Sequence, residues 1–324
     1  MNTPSHSQAP QIVKGRLSVL TPVYNGEDFL EETLVSLVNS DYEDLEFVLV
    51  DDGSEDTSLA IAKRVLESSS RKHTIISKTN SGEADSDNIA LAASTGEFVA
   101  IVNADDPVYP SLFSKSVRFL EDNPDVIVTY PDWDMIDEVG KTVKTVQTRD
   151  YSLDSLLGDN ICLPGPGAVI RRSAIDSPIL RNPRFRYTSD YRQWLTLSSK
   201  GKFARIPEVL CTWRVHQGQQ TVAALGSTQA QEMLDCITDF YEVGECNEAA
   251  QRLKRQAVSQ SYYLAAIQSL YRKSVPGRRY LLKSLFRVYR RNQGYVPNRR
   301  SLVVMCLIIG NPVGRYLVQR SQKR

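Results

Sequence analysis

Short apolar segments alternate with segments of helical periodicity along residues 17–102, and no other feature limits the possible folds as strongly. The predicted strands are 17–20, 45–50, 74–77, 98–102 and 126–130, and the predicted helices are 28–40, 57–67, 85–94 and 191–199. Strands that alternate with helices in this way join through right-handed crossovers into a mostly parallel sheet. The sequence therefore predicts an α/β fold.

Polar clusters follow three of the predicted strands directly. They are Tyr24-Asn25, Asp51-Asp52 and the segment 103–106. Parallel sheets bind ligands just outside the carboxyl ends of their strands, so this placement predicts a ligand site. Paired carboxylates such as Asp105 and Asp106 suit a hard divalent cation that also binds substrate phosphates. Taken alone, aspartates that merely end a strand are the commoner case.

The composition excludes several classes of protein. With 41% hydrophobic and 24% charged residues, the 324-residue chain is neither disordered nor fibrous. No apolar run reaches the roughly 18 residues that a transmembrane helix needs. Five scattered cysteines without a CxxC pair argue against a disulfide framework or a zinc ribbon, and favour the cytoplasm. The chain has only three histidines, which argues against a multi-histidine metal site or a Ser-His-Asp triad.

The charge distribution divides the chain. Residues 249–324 contain 17 Lys+Arg and no Asp or Glu, whereas residues 1–248 hold 22 basic and 38 acidic residues. An acidic body is thus joined to a basic tail. We expect a flexible N-terminal tail over 1–16, a catalytic domain over 17–223 and a basic helical extension over 224–324.

Three segments carry a family resemblance. LSVLTPVYNGEDFLEETLVSLVNSDYEDLEFVLVDDGSEDTS resembles the opening of the family 2 glycosyltransferases, and NSGEADSDNIALAASTGEFVAIVNADDPVYP resembles their second block, which ends in a DxD-type metal motif. TSDYRQWLTLSSKGKFARIPEVLCTWRVH resembles their later block. The resemblance spans residues 17–216. It implies the GT-A fold, which is Rossmann-like, and inverting transfer of a sugar from a nucleotide-diphosphate donor.

The resemblance also implies roles for individual residues. Asp52 would contact the nucleobase with Tyr24 beside it, although a turn aspartate and a packed tyrosine are the alternatives. The implied donor-binding residues are Pro22, Tyr24, Asn25, Asp52, Asn88, Asn103, Asp105 and Arg214. The residues implied to hold Mn²⁺ or Mg²⁺ are Asp105, Asp106 and His216. For His216 a purely structural role is an equal alternative.

Asp190 is the implied general base, which takes the proton of the acceptor hydroxyl. Its alternative is an N-cap of the helix predicted over 191–199. The chain departs from the family pattern at three positions. Asn103 stands in place of an Asp, Asp87 in place of an Arg that contacts donor phosphates, and Ser189 in place of the first residue of an acidic pair.

The basic tail allows two interpretations. Residues 280–291 form an amphipathic pattern with Lys and Arg on one face, which is typical of helices that bind anionic membrane surfaces. Such a helix equally packs its apolar face on the catalytic domain. No nucleic-acid motif accompanies the charge, so we expect no nucleic-acid partner. The expected location is the cytoplasm, with peripheral attachment to the inner face of the cell membrane under the first interpretation.

These observations lead to one main hypothesis and two alternatives. The main hypothesis is a metal-dependent, inverting hexosyltransferase that uses a UDP-sugar or a related donor. Its acceptor is a hydroxyl of a saccharide or of a lipid-linked molecule, as in cell-surface polysaccharide or glycolipid synthesis. The alternatives are a nucleotidyltransferase, for which residues 21–27 lack a basic phosphate loop, and a non-catalytic protein that binds nucleotide-sugars.

Overall fold

The computed structural model describes residues 10–162, 164–216, 218–219 and 227–271. The chain divides into two compact units. The first consists of Met1–Tyr151 and Cys162–Gln217, and the second of Ser152–Ile161 and Gly218–Arg324. No helix in the described ranges is both long and apolar enough to cross a membrane.

The first unit is built on one sheet of eight strands. They are β1 (Val13–Val23), β2 (Leu45–Asp51), β3 (Lys72–Ser77), β4 (Gly96–Ile101), β5 (Val126–Ile136), β6 (Thr142–Val146), β7 (Val169–Arg171) and β8 (Lys202–Arg214). The order is β3-β2-β1-β4-β7-β5-β6, and β8 pairs with β5. Strands β1 to β4 pair in parallel with one another, as do β5 and β8, whereas β7 is antiparallel to both its neighbours. The predicted α/β architecture with a mostly parallel sheet is confirmed.

Five helices of the first unit connect these strands. They are α1 (Leu30–Val38), α2 (Ser58–Glu67), α3 (Glu83–Ala93), α4 (Leu112–Asp122) and α5 (Ser189–Ser198). Helix α1 buries Leu30, Leu34 and Leu37 in the same cluster as Leu17 of β1 and Phe47 of β2. Every residue of β2 is buried, because a parallel strand paired on both sides has helices on its faces.

The first strand begins earlier than predicted. Val13 is its first residue, inside the segment 1–16 that we expected to be a tail. The strand extends this far because it pairs with β4, and the Gly15 N–H also donates to Oε2 of Glu97 at 2.8 Å. Residues 1–9 lie outside the described ranges.

The second unit is helical where it is described. It contains α6 (Ser227–Glu242), α7 (Glu248–Tyr271) and the short helical segment Asp154–Gly158. The segment 152–161 is joined to α7 by hydrogen bonds from Asn160 Nδ2 to Ser261 Oγ (2.7 Å) and from Gln260 Nε2 to Asp159 O (3.2 Å). The predicted boundary between 223 and 224, and the basic segment 280–291, lie outside the described residues.

Candidate active site

The carboxyl ends of four parallel strands meet at one edge of the sheet. The N–H of Asp52, just after β2, donates to the carbonyl of Val23 at the end of β1 (2.7 Å). Lys78 follows β3 and donates its N–H to the carbonyl of Asp51 (3.0 Å). The segment 103–106 follows β4, the neighbour of β1 on its other side. The structure therefore brings the three predicted polar clusters to one edge, as the parallel topology requires.

Asp52 is held firmly at this edge. Its buried carboxylate accepts hydrogen bonds from the N–H groups of Ser81 and Gly82, both at 2.8 Å, and pairs with the Lys78 ammonium. A carboxylate has about four acceptor positions, so these three donors leave room for one more. Lys78 is missing from the sequence-based site, although its position directly after a strand was a usable signal.

The loop after β1 presents one aromatic ring to solvent. Tyr24 is 52% exposed, whereas Pro22 is buried within the strand. Asn25 has a left-handed backbone (φ 49°), which asparagine tolerates better than most residues. Its N–H donates to Ser54 Oγ at 3.0 Å, and its Oδ1 accepts from the Glu55 N–H at 2.9 Å. Asn25 thus fastens the loop after β1 to the loop after β2.

The two aspartates after β4 lie in different environments. Asp105 is partly exposed, and its Oδ2 lies 3.0 Å from Nε2 of His216. Asp106 is buried, and it accepts hydrogen bonds from the Arg214 N–H (2.9 Å) and from Asn103 Nδ2 (3.2 Å). Burial, and then the nearby charge of Asp105, raise the pKa of Asp106 well above the usual range.

Arg214 lies behind the turn that carries Asp105. Its side chain is completely buried. Nε donates to the Asp105 carbonyl (3.0 Å), Nη2 donates to Glu32 (2.6 Å), and the group lies 4.8 Å from the centre of the Phe29 ring. Arg214 therefore fixes the turn that carries Asp105, and its contact with a donor stays a prediction.

Asp105 and His216 are the residues whose donor atoms best suit a divalent metal. Both side chains are partly exposed, and a carboxylate oxygen beside an imidazole nitrogen matches the preferences of Mn²⁺. Within the described ranges, no group of three or more His, Cys, Asp or Glu side chains is arranged to hold a metal ion. The pair fits a site in which substrate phosphates complete the coordination. Asp106 already accepts two hydrogen bonds from the protein, and its role as a metal ligand stays a prediction.

Asp190 lies in the first turn of α5 and is only partly buried by surface area. Its Oδ1 accepts a hydrogen bond from the N–H of the next residue, Tyr191, at 2.6 Å. Desolvation raises the pKa of Asp190, and the opposing charge of Arg181 counteracts that rise. A carboxylate with a raised pKa is a better proton acceptor, which suits a general base.

Asn88 is engaged by the protein. Its Oδ1 accepts from the N–H groups of Leu180 (2.7 Å) and Arg181 (2.9 Å), and its Nδ2 donates to the Arg181 carbonyl (2.7 Å). The amide thus clamps a distant loop to α3. These three hydrogen bonds give Asn88 a structural role, and its contact with the donor stays a prediction.

The hydrogen bonds of Asn88 hold the loop that carries Arg181, and the guanidinium of Arg181 reaches Asp87. The family pattern has an arginine at position 87. Nη1 of Arg181 pairs with Glu83 and lies 3.1 Å from Oδ2 of Asp87. Arg181 and Glu83 are 98 residues apart, so no local signal in the sequence could have found the pair. Gly82, whose N–H donates to the Asp52 carboxylate, directly precedes Glu83.

Comparison with known proteins identifies the family to which the chain belongs. The model of the family "Glycosyl transferase family 2" matches residues 18–177. One uncharacterized glycosyltransferase of Haemophilus influenzae is 29% identical over 262 residues, covering 78% of this chain and 75% of that protein. A second from the same organism is 30% identical over 182 residues, covering 55% of this chain and 70% of that protein.

Solved structures agree on the fold. Staphylococcus aureus TarS 1–349 in complex with UDP-GlcNAc matches with a TM-score of 0.67 at 17% identity, covering 95% of this chain and 91% of that one. The mannosyltransferase PcManGT from Pyrobaculum calidifontis, in complex with GDP-Man and Mn²⁺, matches with a TM-score of 0.62 at 18% identity, covering 96% and 85%. By sequence and by fold, the chain belongs to glycosyltransferase family 2 and has the GT-A fold.

Proposed function

We propose that the protein is an inverting, metal-dependent hexosyltransferase that moves a sugar from a nucleoside diphosphate donor to a hydroxyl of a saccharide or lipid-linked acceptor. The observation that carries this proposal is Asp190. Its carboxylate is partly exposed at the start of a helix, and desolvation raises its pKa toward the range where it accepts protons well.

The donor site is the edge formed by the ends of β1, β2 and β4. Asp52 retains one acceptor position for a base N–H, and the Tyr24 ring is exposed beside it for stacking. TarS was solved with UDP-GlcNAc and PcManGT with GDP-Man, which supports a nucleotide-sugar donor here. UDP is the first nucleotide to test.

The chemistry then follows from the residues. Asp190 accepts the proton of the acceptor hydroxyl as that oxygen attacks the anomeric carbon of the donor sugar. The bond from this carbon to the diphosphate oxygen breaks on the opposite face, so the configuration inverts. A divalent cation held by Asp105 and His216 would neutralise the charge of the diphosphate leaving group. Arg214 fixes the backbone of Asp105 and so orients its carboxylate.

The acceptor proposal rests on the sequence of the basic segment. Residues 280–291 are amphipathic and basic, and anionic lipids attract each Lys or Arg by about 1 kcal/mol. We therefore propose attachment to an anionic membrane surface, where lipid-linked acceptors are found. Removal of residues 273–324 should abolish sedimentation with anionic vesicles. If the shortened protein unfolds instead, the tail packs on the rest of the chain.

A thermal-shift panel tests the function. UDP-, GDP-, TDP- and CDP-sugars are each added with and without Mn²⁺, and we expect one donor to raise the melting temperature only when Mn²⁺ is present. Release of the nucleoside diphosphate in the presence of an acceptor then separates a transferase from a binding protein. If no donor raises the melting temperature, the assignment of Asp52, Asp105 and His216 to a donor site is wrong.

A further inference from the structure

Two paired strands of the first unit bury polar side chains and leave aromatic ones partly exposed. In β5, Asp132 and Asp134 are buried, whereas Trp133 between them is partly exposed. At the end of β8, Arg214 is buried and Trp213 before it is partly exposed. A strand with one solvent-facing side usually places its apolar side chains inside and its polar ones outside. The alternation is inverted here, and the inversion requires a reason.

The buried polar side chains of β5 are paired within the protein. Asp132 accepts hydrogen bonds from Arg205 Nη2 (2.6 Å) and from the N–H of Thr148 (2.8 Å). Asp134 accepts one from the hydroxyl of Tyr109 (3.0 Å). These contacts explain how the carboxylates are tolerated inside. They do not account for the aromatic rings on the other side of the strands.

The two exposed rings form a fixed pair. Trp133 and Trp213 meet edge to face, with ring centres 5.7 Å apart and planes at 80°. Trp133 also packs against the core cluster of the first unit. A Cβ added to Gly165 would lie 3.2 Å from Nε1 of Trp133, so the backbone of the loop before β7 approaches this ring closely. Rings held from several sides are preorganised for binding.

Other side chains share the face of these rings. Antiparallel pairing sets Val146 opposite Trp133 and Lys144 opposite Met135, and parallel pairing aligns Met135 with Trp213. Side chains paired across strands lie on the same face. Met135 is partly exposed and Lys144 is exposed. The aromatic face, which we define as Trp133, Met135 and Trp213, therefore has an ammonium group at its rim.

The aromatic face adjoins the pair proposed to hold the cation. Trp213 comes three residues before His216, so their Cα atoms are at most about 11 Å apart. Nε2 of His216 in turn lies 3.0 Å from Oδ2 of Asp105. The N–H of Val215 donates to the carbonyl of Ile136 (2.9 Å), so the chain stays beside β5 up to this point. A molecule bound on the rings is thus close to the proposed site of the donor diphosphate.

The chemistry of the face matches a sugar ring. A pyranose presents C–H groups on its two faces and hydroxyls around its rim. The face of an indole ring carries partial negative charge, which attracts C–H groups. Binding sites for small molecules combine such aromatic walls with a few polar groups at the edge. The ends of β1, β2 and β4 are already assigned to the donor nucleotide, so the face on β5 and β8 is free for the other substrate.

We propose that Trp133 and Trp213 form the acceptor subsite and bind one pyranose ring of a saccharide acceptor, with Lys144 at the rim available to its hydroxyls. This inference rests on the proposed function, which defines what the acceptor is. It deepens that function by assigning the sugar portion of the acceptor, rather than an apolar chain, to the aromatic face.

Tryptophan fluorescence tests the proposal directly. The chain has three tryptophans, and W194F removes the one that is buried in α5, so the emission then comes from the two proposed ligand-binding rings. Methyl glycosides of glucose, galactose, mannose and N-acetylglucosamine are titrated at millimolar concentrations into this full-length variant. We expect a saturable change with at least one glycoside and none with glucitol, which has the hydroxyls but no ring. No change with any glycoside, or an equal change with glucitol, would overturn the proposal.

Two substitutions of Trp213 separate stacking from packing. Both are made in the W194F protein, where Trp133 remains as the reporter, and thermal melting confirms that they fold. W213F keeps an aromatic face and should retain most of the glycoside affinity. W213L keeps only apolar bulk and should weaken the affinity about fivefold or more. Equal affinities in the two variants would mean that the face takes an apolar chain or only packs, and would refute the sugar subsite.

Transfer to the same glycoside distinguishes this inference from the proposed function. In W213L the KM for the glycoside should rise about fivefold or more, while the donor raises the melting temperature as in the wild-type protein. Transfer with an unchanged KM in W213L refutes the subsite and leaves the function standing. Saturable glycoside binding in a protein that transfers no sugar refutes the transferase role and leaves the subsite standing.

Discussion

Oδ2 of Asp105 lies 3.0 Å from Nε2 of His216, which joins the turn after β4 to the residues after β8 across 111 positions of sequence. If the two side chains hold the cation together, H216A should raise the Mn²⁺ concentration for half-maximal activity by about 10-fold or more. Excess Mn²⁺ should then restore part of the activity.

The matched control is H73A, at a half-buried histidine of β3 whose ring contacts the Arg71 carbonyl. It should leave the Mn²⁺ dependence unchanged. Equal Mn²⁺ dependence of H216A and the wild-type protein would show that His216 serves the structure of the turn only.

Asp52 has two roles that two variants can separate. D52N weakens the pairing with Lys78 and replaces one acceptor oxygen by an NH2 donor, so one oxygen remains for the loop N–H groups and a base N–H, whereas K78M removes the same pairing and keeps both oxygens. We expect donor affinity to fall about 10-fold more in D52N than in K78M, since losing a hydrogen bond to a charged group costs about 1.5–3 kcal/mol. Isothermal titration with the donor measures both. Equal losses would mean that Asp52 only anchors the loop 78–82.

Asp190→Asn should reduce transfer by about 10²–10⁴-fold, because the amide cannot accept the proton of the acceptor hydroxyl. The donor affinity should stay near that of the wild-type protein. The control is D125N, the same chemical change at an exposed aspartate that pairs with Lys202, and it should retain full activity. A loss of donor binding in D190N would instead indicate a structural role for Asp190 in the first turn of α5.

The sequence predicted those elements whose signal is local. Strand β2 was predicted to within one residue, because an uninterrupted apolar run is what a buried parallel strand requires. Strand β6 was not predicted, since four of its five residues are exposed and it has no apolar face. Helix α4 is absent from the prediction, although Phe113, Val117 and Leu120 have helical spacing, so this helix was predictable.

The site residues also divide into those with a local signal in the sequence and those without one. The strand-end rule placed Asp52 and Asp105 at one edge, because parallel topology alone decides that position. The burial of Arg214 and the arrival of Arg181 at Asp87 depend on contacts between segments far apart in sequence. No pattern within either segment distinguishes a buried arginine from one that binds phosphate.

Two arginines paired with neighbouring acids of α1 should contribute very differently to stability. Arg214 is fully buried and pairs with the exposed Glu32, whereas both Arg64 and its partner Glu31 are exposed. R214M should cost about 1–3 kcal/mol of unfolding free energy, because it leaves the carbonyls of Asp105 and Asp137 without their donor. R64M should change the unfolding free energy little, since exposed pairs are weak. Urea denaturation measures both, and equal costs would contradict the structural role of Arg214.

Asp87 should make the stability of the protein depend on pH. Desolvation raises the pKa of this buried carboxyl to about 7 from the usual 3.8, against the opposing charge of Arg181. Between these two values the native state retains the proton that the unfolded state has already lost. The free energy of unfolding contributed by this group should therefore fall as the pH rises from about 4 to 7, by about 4 kcal/mol over the whole window.

The D87N variant should lose this dependence, because an amide does not titrate. We expect the unfolding free energy of D87N, measured relative to that of the wild-type protein, to increase as the pH rises from 4 to 7. Above pH 7 this difference should stay constant. D122N, at an exposed aspartate of α4, removes one carboxylate without changing a buried group and should keep the wild-type slope. Urea denaturation at each pH gives the three profiles. Parallel profiles for D87N and the wild-type protein would mean that Arg181 holds Asp87 ionised throughout this window, and that the buried pair does not respond to pH.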